Sequence, residues 1–234
     1  MVIDHKLNIF ADGDALAAAL ASAVAERLGT ACKERGSAVL AVSGGTTPTR
    51  FFKALSHKRL PWTNITITLI DERYVPPTSD RSNEKLVREL LLQNEAADAN
   101  FVGLYNPAPN VEQGAKLASE AIGRLGRSFD VSVLGMGNDG HTASFFPGGD
   151  HLAAAIAPDQ MAPVLPMQAE GAGEPRLTLT LPMIAGSRFV ALHIEGAAKK
   201  DVLDAALGEG SALDMPIRAV LRYKPIELEI FWAP

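Results

Sequence analysis

Apolar positions along this chain alternate between two spacings, and each change of spacing marks a new element. Short apolar runs at Lys6–Phe10, Ala38–Val42, Thr66–Ile70, Phe101–Leu104 and residues 130–134 read as strands. Leu16, Leu20, Val24 and Leu28 recur every fourth residue behind Asp12 or Asp14. That pattern predicts a long helix, capped by one of the two aspartates, with its stripe facing a core. Residues Thr49–Leu55, Asn83–Leu92, 111–125 and Gly196–Leu207 read as further helices, the second with Leu86, Leu90 and Leu91 turned inward. Strands are expected at Met161–Leu165, Leu177–Leu181 and Phe189–Ile194, and an alternating run at Glu227–Trp232 predicts a last strand at an edge. Repeated β-α-β order places the chain in the α/β class: a mostly parallel sheet with helices on both faces, Rossmann-like, as one domain over residues 1–234. Residues 168–175, rich in Gly and Glu, read as a loop.

Composition narrows the class of function. A chain of 234 residues buries a sizeable core as one domain. A net charge of −5 argues against a nucleic-acid surface. Cys32 stands alone, which excludes a disulfide framework and a cysteine zinc site; its apolar neighbours predict a buried thiol. The start, Met1 to Lys6, lacks a basic-then-apolar signal segment, and no run of eighteen apolar residues predicts a membrane span. A cytoplasmic protein is the expectation.

Three strand ends carry the candidate chemistry. After the strand at 131–134 comes Gly135-Met-Gly-Asn-Asp-Gly-His141-Thr-Ala-Ser144. Its glycines allow a tight turn and close approach to a ligand, and it places a carboxylate, Asp139, two residues from a base, His141. After the strand at 38–42 comes Ser43-Gly-Gly-Thr-Thr-Pro48, leading into a helix. Unpaired N–H groups at a helix start attract anions, and Thr46 and Thr47 add hydroxyls. The loop lacks the P-loop ending and the G-x-G-x-x-G spacing. The third strand, 66–70, ends in Asp71-Glu72-Arg73-Tyr74-Val75-Pro76. Three charges at the mouth of a buried strand are costly unless they are paired or face a polar site. All three segments should open on the same edge of the sheet, where α/β proteins bind ligands.

These motifs, together with Ser82-Asn83, the continuation through Phe146-Pro147-Gly148 and the segment Arg176-Leu-Thr-Leu-Thr-Leu-Pro182, resemble the 6-phosphogluconolactonase family. The resemblance runs in order from about residue 10 to about residue 205, and the string at 134–148 is its most specific part. It implies a cytosolic enzyme that opens 6-phosphogluconolactone to 6-phosphogluconate, the second step of the oxidative pentose phosphate pathway, without metal or organic cofactor. Members commonly carry a Ser-Pro-Lys-Pro-Pro-like run before the Arg-Leu-Thr-Leu-Thr strand; here residues 168–175 contain no lysine, and Arg176 or Lys199 is the candidate replacement. The ending at 227–234 also departs from the acidic, alanine-containing end of many members.

A lactonase needs a base for water and an anchor for phosphate. His141 is the candidate base, with Asp139 or Asp71 orienting its ring. Ser43, Gly44, Gly45, Thr46 and Thr47 form the candidate phosphate loop, with Arg73, Arg176 and Lys199 as cationic partners. G-x-S-x-G is absent, so direct attack by water is expected rather than an acyl-enzyme. His5, His57, His151 and His193 are expected to be surface or packing residues, and Trp62 and Trp232 packing anchors. The expected partner is a small sugar-phosphate lactone, with no nucleic acid and no membrane, and the chain is expected to be a monomer. Glucosamine-6-phosphate isomerase/deaminase is the rival within the superfamily, but Thr142-Ala-Ser-Phe-Phe-Pro147 lacks the glutamate those enzymes generally carry after the histidine. A non-catalytic sugar-phosphate sensor is the rival outside enzymes; it would need a DNA-binding segment, for which the chain leaves no room.

Overall fold

The structure, a computed structural model, describes residues 5–126, 128–223 and 228–234. Its strands are β1 (Lys6–Ile9), β2 (Ala38–Val42), β3 (Ile65–Leu69), β4 (Asp71–Arg73), β5 (Asn100–Val102), β6 (Val131–Leu134), β7 (Val164–Met167), β8 (Arg176–Leu179), β9 (Val190–Glu195) and β10 (Leu228–Ala233). The helices are α1 (Gly13–Arg35), α2 (Thr49–Ser56), α3 (Asn83–Leu90), α4 (Val111–Gly123), α5 (Leu152–Ala155), α6 (Leu181–Ala185), α7 (Ala197–Leu207) and α8 (Ile217–Leu221).

Seven strands form one sheet in the order β1-β10-β9-β6-β2-β3-β5, every pairing parallel. All four residues of β6 and the first five of β9 are buried. Successive side chains on a strand point to opposite faces, so both faces of the sheet centre are covered. The chain belongs to the α/β class as one domain. From β2 it builds outward through β3 to β5, and then returns to place β6 on the other side of β2. The β2/β6 junction is therefore the topological switch point, where a crevice opens beyond the strand ends.

Asp12, not Asp14, caps α1: its Oδ1 accepts from the Ala15 N–H at 2.8 Å, a contact worth about 1 kcal/mol. Gly36 closes the other end with φ +82°, its N–H donating to Cys32 O. By length and composition α1 is apolar enough to cross a membrane, but its stripe from Leu16 to Cys32 is buried against α2 and the sheet. Cys32 is buried within it.

Four expectations change. The last strand is not at an edge, because β10 lies between β1 and β9; Glu227 lies outside the described residues, as do Met1 to Asp4. The edges are β1 and β5. Val87 and Leu91 supply the buried face near α3, with Leu86 and Leu90 only partly covered. The strand expected at Met161–Leu165 begins three residues later, and the one expected to reach Leu181 ends at Leu179. There Leu181-Pro182 opens α6, with proline in the first turn where its missing N–H costs nothing.

Candidate active site

The two loops at the switch point are joined to each other. The Ser43 N–H donates to Val133 O at 3.0 Å, and the Gly135 N–H donates to Ser43 Oγ at 3.3 Å. Gly44 has no room for a side chain, since a Cβ would lie 1.9 Å from Asn83 Oδ1. Gly45 has φ +92°, a conformation that favours glycine. No side chain caps the start of α2 after Pro48, which leaves the N–H groups at its positive end available to an anion.

The second loop folds around its own histidine. The Gly137 N–H donates to His141 O at 2.8 Å, and Thr142 Oγ1 donates to Gly135 O at 2.7 Å. A Cβ at residue 137 would meet His141 Nδ1 at 2.1 Å, so only glycine lets the imidazole turn inward. His141 Nδ1 lies 2.5 Å from Asp139 Oδ1. This contact, the largest cause, lowers the Asp139 pKa to about 2, against an opposing effect of partial burial. A carboxylate only accepts, so Nδ1 carries the hydrogen and the neutral ring keeps its lone pair on Nε2. Phe146 supports the ring, with centroids 4.5 Å apart and planes tilted 34°. Ala143 has φ +51°, a strain of roughly 1–2 kcal/mol for a residue with a Cβ, sited where the loop bends into the cleft.

The third segment departs from the expected loop at the parallel edge. Asp71–Arg73 is itself a strand, β4, in a separate antiparallel sheet ordered β4-β8-β7. Glu72 is fully buried and accepts from the N–H groups of Arg73 (2.7 Å), Asn83 (2.8 Å) and Glu84 (2.8 Å) and from Ser82 Oγ (3.0 Å). Burial pushes its pKa up, and these donors partly offset the shift. Glu72 therefore closes the start of α3 and anchors β4. Asp71 does not reach His141: its Oδ2 accepts from Ser144 Oγ at 2.6 Å and lies 4.0 Å from Arg176 Nη1. Of the two aspartates, Asp139 holds the imidazole.

Arg73 and Arg176 are direct register partners across the antiparallel ladder. Like charges in that position repel. Burial first, then Arg73, lowers the Arg176 pKa, with Asp71 acting against both. The Nε–H groups of both arginines are buried without a partner among the described residues. Two crowded guanidiniums with unused donors suit a ligand of high negative charge. Lys199 donates to Met136 O beside the histidine loop; burial lowers its pKa and Asp139 opposes the shift.

A cleft of about 220 Å³ collects these groups. Ser43, Gly44, Gly45, Thr46, Thr47, Asp71, Arg73, His141, Arg176 and Lys199 all line it, and Asp139 stands behind His141. Both residues expected to replace the missing lysine, Arg176 and Lys199, are in its wall. Three residues that the sequence did not assign to the site also matter, among them His193, expected at the surface or in packing only. Asn83 lines the cleft and donates from Nδ2 to Asp71 O at 2.8 Å, Phe146 backs the imidazole, and His193 is in the wall. Asn83 had a signal, the Ser-Asn pair at 82–83; Phe146 had none beyond its place in the same string. Among the described residues, no group of three or more His, Cys, Asp or Glu is placed to hold a metal.

A parallel α/β sheet with a glycine loop at a helix start and a histidine loop at its switch point, facing two arginines, forms a cleft suited to an anionic ligand. The chain belongs to the family of glucosamine-6-phosphate isomerases and 6-phosphogluconolactonases, whose model matches residues 11–232. It is 51% identical to a 6-phosphogluconolactonase of Rhizobium meliloti, over 98% of this chain and 99% of that protein. It is 52% identical to another of that name from Mesorhizobium japonicum, over 98% and 96%. The crystal structure of a 6-phosphogluconolactonase from Shewanella baltica superposes with a TM-score of 0.97 at 42% identity, covering 100% of both chains.

Proposed function

We infer that this chain hydrolyses 6-phospho-D-glucono-1,5-lactone to 6-phosphogluconate, the second step of the oxidative pentose phosphate pathway. One observation carries the reading: a tautomer-fixed imidazole, His141 on Asp139, in the same cleft as two opposed arginines. The full-length likeness to proteins named for this activity supports the choice of substrate.

In this reading His141 Nε2 takes a proton from water as its oxygen adds to the lactone C1. The tetrahedral intermediate collapses with cleavage of the bond between C1 and the ring oxygen. The imidazolium then returns the proton to that oxygen, which leaves as the C5 hydroxyl. Asp139 stabilises the transient imidazolium and keeps the ring aimed. The phosphate is held by the N–H groups and hydroxyls of residues 43–47, with Arg73, Arg176 and Lys199 as its cations. Asp71 acts indirectly, by holding Arg176 and Ser144 in place. No cofactor takes part. The chain works as a cytoplasmic monomer on a small molecule, a state that size-exclusion chromatography checks.

The test is hydrolysis of freshly made lactone, with the spontaneous rate subtracted, by the wild type and a folded His141→Ala variant. Fast turnover lost in the variant supports the assignment. Equal turnover in both removes His141 from the mechanism. No wild-type turnover sends the search to glucosamine-6-phosphate and then to binding without chemistry.

A further inference from the structure

Among the described residues, His193 is the one titratable group in the cleft wall that the mechanism above does not use. It sits in β9, 3% exposed, and nevertheless lines the cleft. Its Nε2 lies 3.1 Å from Glu195 Oε1, two residues on and on the same face of the strand. The other Glu195 oxygen, Oε2, accepts from Arg50 Nη1 at 3.0 Å, and Arg50 Nε pairs with Asp14 Oδ1 at 3.0 Å. The Phe51 ring meets the imidazole edge-on, 6.2 Å between centroids and 80° between planes. Phe51 belongs to α2, the helix that the anion loop begins, so His193 is packed behind that loop.

This setting dictates the tautomer. A carboxylate held by an arginine only accepts, so the hydrogen of a neutral ring resides on Nε2. Burial holds His193 below the usual histidine range, against the pull of Glu195. Nδ1 is then a bare acceptor. Of the other cleft groups assigned to the ligand, the loop N–H groups, Arg73, Arg176 and Lys199 only donate, and the hydroxyls of residues 43–47, which can also accept, are taken up by the phosphate. A polyhydroxylated ligand also needs acceptors for its O–H groups, and leaving them unpaired on binding is costly.

We propose that His193 is a substrate-binding residue whose Nδ1 accepts a hydrogen bond from an O–H group of the ligand, with Glu195 fixing the tautomer. The inference rests on the sugar-phosphate reading of the cleft. The O–H belongs either to a sugar hydroxyl or to a singly protonated phosphate, whose second pKa is about 6.

The test is binding of 6-phosphogluconate and of inorganic phosphate to the full-length wild type and to His193→Phe, at pH 5.5 and 8, together with ¹⁵N spectra of the wild-type histidines. The wild-type spectrum should show His193 as the Nε2–H tautomer, with its Nδ1 resonance moving when 6-phosphogluconate is added. His193→Phe keeps a ring against Phe51 and should bind 6-phosphogluconate about two- to tenfold more weakly. Loss at both pH values with inorganic phosphate unaffected identifies a sugar hydroxyl. Loss of 6-phosphogluconate affinity confined to pH 5.5, with inorganic phosphate, which keeps an O–H at both pH values, weakened at both, identifies the phosphate. Unchanged affinity in the folded variant, an Nδ1–H tautomer, or a resonance indifferent to ligand overturns the proposal. If the variant does not fold, the wild-type spectra still decide. If the wild type binds 6-phosphogluconate without hydrolysing the lactone, the catalytic reading fails independently of this one.

Discussion

The cleft has two walls built on opposite principles. One is made of loops leaving the parallel sheet, where Gly44, Gly45 and Gly137 bring the backbone and one half-buried imidazole to the cleft. The other is a short antiparallel ladder that fixes Arg73 opposite Arg176, anchored by a carboxylate with four donors. In the proposed mechanism the loop wall supplies the group that moves a proton and the ladder wall supplies fixed cations. Catalysis needs mobility of a proton, and anchoring needs charge that does not move. Neighbouring acids follow the same division. Glu72 is sealed into structure, while Asp139, one-half exposed, serves the imidazole.

The sharpest way to separate the walls is His141→Ala. Its kcat should fall about a hundred- to ten-thousandfold, with Tm and affinity for 6-phosphogluconate nearly unchanged, read by lactone turnover and calorimetry. Glu72→Ala should do the reverse to the other wall. It orphans the N–H groups at the start of α3, and a stability loss on the order of 3 kcal/mol is expected in chemical denaturation. Arg73→Ala should raise KM about ten- to a hundredfold, from roughly 1.5–3 kcal/mol for a charge-assisted contact, while kcat changes less. Because it relieves repulsion on Arg176, the ligand-free Tm should hold steady or rise. A clear fall in Tm would mean that the arginine pair is structural.

The smallest effect is expected at Asp139→Asn. Losing the charge that favours the imidazolium should move the acid limb of kcat/KM to lower pH and lower kcat roughly tenfold. In the wild type the Asp139 pKa is depressed from 3.8 to about 2. Its stabilising contribution is thus complete above about pH 3.8 and is lost as pH falls towards 2. The pair is about half exposed, so this contribution is worth no more than about 1 kcal/mol. An acid limb that stays in place in Asp139→Asn would break the coupling between carboxylate and base.

Much of this arrangement was legible before any coordinates. The four-residue spacing of Leu16, Leu20, Val24 and Leu28 is a local property, and so are the strands 38–42 and 131–134 with their glycine turns. Local sequence put Asp139 two residues from His141 but left it open whether Asp139 or Asp71 orients the ring; the structure pairs His141 with Asp139. The misplaced last strand has a long-range cause. An alternating pattern at 228–232 is compatible with an edge or with an interior position whose neighbour is itself exposed, and only pairing with β1 distinguishes them.

Sequence alone therefore determined most strands of the parallel sheet and its longer helices, the α/β class and the residue types of the chemistry, because these follow from short-range periodicity and turn geometry. Tertiary structure decided which charges meet. Residues 73 and 176 are about a hundred positions apart, and nothing local makes them register partners. It also decided that Asp71 turns to Ser144 rather than His141, and that His193, an unremarkable strand residue in the sequence, faces the cleft with its tautomer set by Glu195. These are long-range outcomes of strand order and burial, which no window along the chain contains.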